Sequence, residues 1–146
     1  MKFENYIHLE FPSKSANESF ARTVIACFAA QLDPTLEELG DIKTAVSEAV
    51  TNCIVHAYPN ELGKIVLRAR ILPERVLEIV VRDFGCGIAD IEKAREPMFS
   101  TGGAERSGMG ITIMESFMSE VRITSTVGKG TTVRMRRRIL PRSMGR

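Results

Sequence analysis

Glu48-Ala49-Val50-Thr51-Asn52 is the stretch on which the fold turns, and Asp83-Phe84-Gly85-Cys86-Gly87 must be read with it. The first lies in a segment of helical periodicity. Leu39, Ile42, Val46, Ala49, Cys53 and Ala57 recur every three or four residues and mark a stripe for burial. Glu48 and Asn52 fall at the edge of that stripe, one helical turn apart, so their side chains project from the same side. The second stretch follows Leu77, Ile79, Val80 and Val81, a run that reads as a strand. Packing alone does not call for an acid at the end of such a strand, and glycine lets the backbone after it turn sharply. Ser107-Gly108-Met109-Gly110 then opens a further apolar helix.

Working outward, residues 6–11 alternate Ile7, Leu9 and Phe11 with His8 and Glu10, a half-buried first strand ended by Pro12 and Ser13. Phe20, Val24, Cys27 and Phe28 give a helix over 15–31, broken at Asp33-Pro34. Thr35-Leu36-Glu37-Glu38 is a capping box and starts the long helix, which is expected to stop near Tyr58. Two strands, 64–72 and 76–83, flank Pro73-Glu74-Arg75. Residues 85–107 read as an irregular connection with one helical turn near 91–95, and so long a connection in a compact domain points to a functional lid. A helix over 108–118 and a hairpin of 121–127 with 131–135, around Gly128-Lys129-Gly130, complete the chain. This order predicts an α+β fold: a two-layer sandwich, a mostly antiparallel sheet with helices on one face.

The 146 residues suit one domain with a real core, and 44% apolar with 26% charged residues is the make-up of a soluble globule. No apolar run approaches the ~20 residues that span a bilayer. Met1-Lys2-Phe3-Glu4-Asn5 lacks the apolar region of a signal peptide. Cys27, Cys53 and Cys86 show no C-x-x-C spacing and read as free thiols in a reducing cytosol, the first two in helix cores and the third in a loop. The net charge of +2 is uneven: six arginines and no acid follow from Arg134 onward, against 14 basic and 18 acidic residues before it. Arg134, Arg136 and Arg138 alternate with Met135, Arg137 and Ile139, which reads as a strand end rather than a nucleic-acid patch. Residues 141–146 read as a frayed basic tail. Neither direct DNA binding nor membrane contact is expected.

The three marked stretches are parts for holding Mg-ATP. The Asn52 carbonyl is a suitable hard ligand for Mg²⁺. Glu48, one turn away, can accept a proton from a nucleophile. Asp83 can accept from the exocyclic amine of adenine. Free N–H groups at a Gly-rich helix start suit phosphate oxygens, and Arg106 can present a planar donor fork to them. Each part also has a plainer reading: a solvated helix face, an Asp-x-Gly turn, a serine cap with two glycines, a surface arginine. Their order and spacing favour the nucleotide. Other signatures are absent: no G-x-x-x-x-G-K-[ST], no G-x-G-x-x-G after the first strand, no H-E-x-x-H and no G-x-S-x-G.

Together these residues resemble the Bergerat-type ATP site of the GHKL superfamily. Glu48 to Asn52 matches its N box, Asp83-x-Gly85-x-Gly87 its first glycine box and Gly108-x-Gly110 the second, while Gly130-Thr131-Thr132 resembles the last. Longer stretches narrow the match. Asn17-Glu18-Ser19-Phe20-Ala21-Arg22, Ala30-Gln31-Leu32-Asp33-Pro34-Thr35, Val46 to Asn52, Glu105 to Gly110 and Thr112-Ile113-Met114-Glu115 are similar to the family of sporulation anti-sigma F factors. That resemblance implies a single GHKL-type kinase domain over 1–140, working in the cytoplasm as a homodimer. It implies a protein that binds and inhibits a sporulation sigma F factor when ATP is bound. It also implies a serine kinase that phosphorylates an anti-anti-sigma factor, stage II sporulation protein AA.

Carried over by position, Asn52 would hold Mg²⁺, Glu48 would be the general base and Asp83 would read adenine. Gly85, Gly87, Gly108 and Gly110 would shape the pocket and lid, with Thr101, Ser107, Met109 and Thr131 also at the nucleotide. Arg106 would meet the γ-phosphate or the partner. Glu18 and Arg22 would contact sigma and compete with the anti-anti-sigma protein. The chain departs from the family at Ser100-Thr101-Gly102-Gly103-Ala104, where lysine and proline more often follow the threonine, and at Ala57, where glycine is usual. An alternative is an ATP-gated sigma-binding module without kinase activity; the retained Glu48 favours the enzyme. A histidine-kinase fragment would need a phosphoacceptor histidine on a dimerisation helix, and His8 falls in a strand.

Overall fold

Alternation in the strands and small residues in the helices fix the two layers. The computed structural model describes residues 2–94 and 110–141. Five strands, β1 (Asn5–Pro12), β2 (Lys64–Leu72), β3 (Val76–Asp83), β4 (Glu120–Thr126) and β5 (Gly130–Arg138), form one sheet in the order β1-β2-β3-β5-β4. Every neighbouring pair is antiparallel. Register carries the apolar residues into rows: Leu67 lies opposite Val81 and Val81 opposite Val133, while Ala69 meets Ile79 and Ile79 meets Met135. All six are buried. Burying a side chain of valine or isoleucine size contributes about 1.5–3 kcal/mol, so these rows define the core face.

Helices α1 (Ala16–Ala29), α2 (Leu36–Asn52), α3 (Ile91–Ala94) and α4 (Gly110–Phe117) follow the expected order, and α2 packs between α1 and α4. The α+β sandwich expected from the sequence is therefore the fold observed. The capping box is present: Thr35 Oγ1 accepts from the Glu38 amide at 3.0 Å, and Glu38 Oε1 accepts from the Thr35 amide at 2.9 Å. Ile42, Val46 and Ala49 of α2, with Cys53 and Ala57 just beyond it, are buried as the periodicity predicts, and Leu39 is half-buried.

Two expectations shift. On α1 the buried residues are Ala21, Ile25, Phe28 and Ala29, while Phe20 and Cys27 are exposed. The helix is rotated by one position because Ala21 and Ala29 offer small side chains for the approach of α2, which Phe20 would hold off. Nor does α2 run on as an α-helix to Tyr58. It ends at Asn52 and is followed by a π-turn over Cys53–Ala57.

The last strand reaches Arg138, three residues beyond the expected end, because its arginines find partners across the sheet. Arg136 binds Glu78 at 2.7 Å and Arg134 binds Glu120 at 3.2 Å. Arg137 binds Asp41 of α2 at 2.6 Å and also the Phe117 carbonyl. No helix among the described residues is long and apolar enough to cross a membrane. Residues 142–146 of the expected tail lie outside the described structure.

Candidate nucleotide site

The site is assembled where α2 gives way to its π-turn, α4 begins and β3 ends. A Cβ placed on Gly110 would stand 3.0 Å from Asn52 Nδ2, 3.2 Å from its Oδ1 and 3.3 Å from Glu48 Oε2. The start of α4 thus lies directly against both polar side chains, and glycine leaves them room. Glu48 is half-buried. Burial, and then the charge of Glu18, raise its pKa above the ordinary 4.5. Glu18 itself accepts a hydrogen bond from Ser47 Oγ and pairs with Arg22 at 3.4 Å.

Asp83 closes the other side and is almost fully buried. Its Oδ1 accepts from the Gly85 amide at 3.0 Å and the Thr131 amide at 3.2 Å. Its Oδ2 lies 3.5 Å from the Cys53 thiol. Burial pushes its pKa up from 3.8, and the hydrogen bonds from Gly85, Cys53 and Thr131 pull against it. Tyr58 ties the π-turn to both strands: its hydroxyl donates to the Lys64 carbonyl at 2.7 Å and accepts from the Phe84 amide at 2.6 Å.

The glycines after Asp83 build the walls. A Cβ on Gly85 would overlap the Ala57 carbonyl, and one on Gly130 (φ +122°) would overlap the Asp83 carbonyl. Gly87, at φ +77°, runs equally close to the backbone of Thr126. Their freedom is used for backbone-to-backbone packing against Ala57, Thr126 and Asp83, besides the sharp turn that the sequence reading expected. Thr131, besides its amide contact, shares a 2.8 Å hydrogen bond between its hydroxyl and Ser125.

These groups fit a magnesium nucleotide. Asn52 offers an amide oxygen beside a helix start, and Asp83 keeps an oxygen whose described donor is one weak thiol. Among the described residues no group of three His, Cys, Asp or Glu could hold a metal unaided. A metal here would lean on Asn52 and on the phosphates. Thr101, Arg106, Ser107, Gly108 and Met109, all expected at the nucleotide or lid, lie outside the described residues.

Comparison with known proteins gives the family and the fold. Residues 11–137 match the histidine kinase-like ATPase domain. An anti-sigma F factor of Caldanaerobacter subterraneus subsp. tengcongensis is 60% identical over 92% of this chain and 94% of its own length. That of Geobacillus kaustophilus is 55% identical over 92% of this chain and 93% of its own. The chain belongs to the anti-sigma F factor family. The solved RsbU and RsbW domains of a Mycobacterium tuberculosis protein superpose with a TM-score of 0.68 at 22% identity, over 93% of this chain and 32% of theirs, a likeness of fold.

In this anti-sigma F family member, Glu18 and Arg22 sit on α1 beside the carboxylate of Glu48. A groove of about 390 Å³ between α1 and α2 joins them, lined by Arg22, Gly40, Lys43, Thr44, Ser47 and Glu48. The sequence reading singled out neither Ser47 nor Tyr58. Ser47 directly precedes Glu48, and a helical wheel places it toward α1. Tyr58 carried no signal, because its role depends on Phe84, which lies 26 residues away.

Proposed function

We propose that this chain binds Mg-ATP, binds and inhibits a sporulation sigma F factor, and phosphorylates a serine of its anti-anti-sigma partner, stage II sporulation protein AA. The observation that carries this reading is the placement of Glu48 and Asn52 side by side against the start of α4. Asn52 would hold Mg²⁺, which supplies charge neutralisation at the phosphates. Asp83 would accept from the adenine amine. Glu48 would take the proton of the acceptor serine as its oxygen bonds to the γ-phosphorus and the bond to ADP breaks. Phosphoryl transfer asks for positioning and charge neutralisation above all. A half-buried base of raised pKa, at the end of an open groove, supplies the positioning.

Arg22 lines the approach, Glu18 is held beside it by Ser47, and both would meet sigma and its competitor. Arg106 would meet the γ-phosphate or the partner. The relatives' name, anti-sigma F factor, supports the sigma partner, while the homodimer, the cytoplasmic setting and the anti-anti-sigma partner rest on the family resemblance alone. The competing reading is an ATP-gated sigma-binding module. It would need Asn52 and Asp83, but it gives no reason for a base placed on the groove, so Glu48 favours the kinase.

The test is transfer of label from γ-labelled Mg-ATP to the anti-anti-sigma protein, with Asn52→Ala as the control. Label on serine that falls at least about 100-fold in the control supports the kinase and the metal site together, a loss typical of removing charge stabilisation from a transition state. ATP-dependent sigma binding with no label would leave the gated module in its place.

A further inference from the structure

Cys53 is a small residue on the buried stripe of α2, and packing alone would be satisfied there by alanine. Its thiol does more than fill space. It points at Oδ2 of Asp83, 3.5 Å away, while the two backbone amides hold Oδ1. A thiol S–H is a donor, and its only role toward a carboxylate oxygen at this distance is to donate. Three donors from three segments, the π-turn, the loop after β3 and the start of β5, thus fix one carboxylate. An ionised carboxylate has about four lone-pair sites. Among the described residues two are taken on Oδ1 and one on Oδ2, which leaves an acceptor position on Oδ2.

We propose that Cys53 is a positioning residue that holds Asp83 as an oriented, acceptor-only carboxylate, and so makes the site select a 6-amino over a 6-oxo purine nucleotide. This rests on the reading of Asp83 as the contact to the base. A 6-amino group donates to the free Oδ2 position. A 6-oxo group would set acceptor against acceptor. Without the thiol, the buried carboxyl loses one of the bonds that favour its ionised form, and a protonated carboxyl can donate to a 6-oxo group. Selectivity then falls.

The experiment measures binding of Mg-ATP and Mg-ITP, which differ in that group, to the full chain, Cys53→Ala and Cys53→Ser. Thermal melts without nucleotide check that each variant folds. Loss of this weak thiol hydrogen bond, taken at the worth of an ordinary one, predicts an ATP affinity about 5-fold lower in C53A. ITP affinity should hold or improve, and C53S, which keeps a donor, should return the ratio to within about 2-fold of the parent. A parent preference for ATP that C53A keeps would overturn the role of Cys53 alone. So would a C53S ratio as low as that of C53A, the mark of packing. A parent protein that does not prefer ATP to ITP would overturn the reading of Asp83, and this role with it.

Discussion

At the scale of single residues the site is set by what is left half-buried. Glu48 would be a poor base at an ordinary carboxylate pKa, since it would hold an abstracted proton weakly near neutrality. Burial, with Glu18 behind it, moves its pKa up. The sign of the pH dependence follows. Transfer needs the ionised form, so the rate should fall on acidification, with the fall centred above 4.5. Glu18→Gln removes the neighbouring charge and should move that limb to lower pH, measured at saturating acceptor because Glu18 also lies on the partner surface. Glu48→Gln should lower transfer by about 100-fold or more, within the range for general base catalysis, and leave ATP affinity unchanged. Loss of ATP binding in that variant would mean the carboxylate serves the nucleotide.

At the scale of elements, glycines that look alike in sequence carry opposite loads. Gly40 lies within α2, and a Cβ there would meet nothing within 4 Å. Gly40→Ala should stabilise the chain by about 1 kcal/mol, through helix propensity and a less flexible unfolded state. Gly130 has φ +122° and its added Cβ would collide with the Asp83 carbonyl. Gly130→Ala should destabilise by more than about 1 kcal/mol and also weaken nucleotide binding, because the Thr131 amide that holds Asp83 would move. Urea unfolding of both variants checks the pair. The same contrast shows what the sequence could disclose. The strands at Lys64–Leu72 and Val76–Asp83 were legible to the residue, since their apolar runs are bounded by Pro73-Glu74-Arg75 between them and by the Asp83-Phe84-Gly85 turn. The phase of α1 was not, because Phe20 and Ala21 are both apolar and only the distance to α2 decides between them. The π-turn at Cys53–Ala57 was equally hidden: it depends on Tyr58 reaching Lys64 and Phe84. Of the site, Glu48, Asn52 and Asp83 could be read from type and spacing, whereas the thiol behind Asp83 needed the packing of the π-turn on β3.

At the scale of the whole molecule, the arginine-rich end of the chain is taken up by the sheet. On the face away from the helices, Glu78 is 2% exposed and sits between Arg70 at 2.5 Å and Arg136 at 2.7 Å. Arg136 in turn reaches Glu120 at 3.9 Å, which Arg134 and Arg122 also approach. Three strands, β2, β3 and β5, with β4 beyond them, are thus tied across one row of charge. Burial alone would raise the pKa of Glu78. The hydrogen bonds and charges of Arg136 and Arg70 outweigh it, and the net shift is downward from 4.5. A carboxyl whose folded pKa is depressed contributes stability above its unfolded pKa and loses it as pH falls through the folded value. The network should therefore hold at neutral pH and weaken progressively below about pH 4.5, the ordinary value of the group. Glu78→Gln would leave two part-solvated arginines facing each other without the charge between them. Removing one partner of a buried pair costs about 3–5 kcal/mol, and the exposure of the arginines argues for about 2 kcal/mol here. The variant should also lose the share of the acid dependence of unfolding that Glu78 contributes below about pH 4.5, so its stability should fall less steeply there than the parent's. If urea melts of E78Q and of the parent kept the same pH slope, the row of charge would hold no strands together, and the apolar rows beneath it would carry the sheet alone.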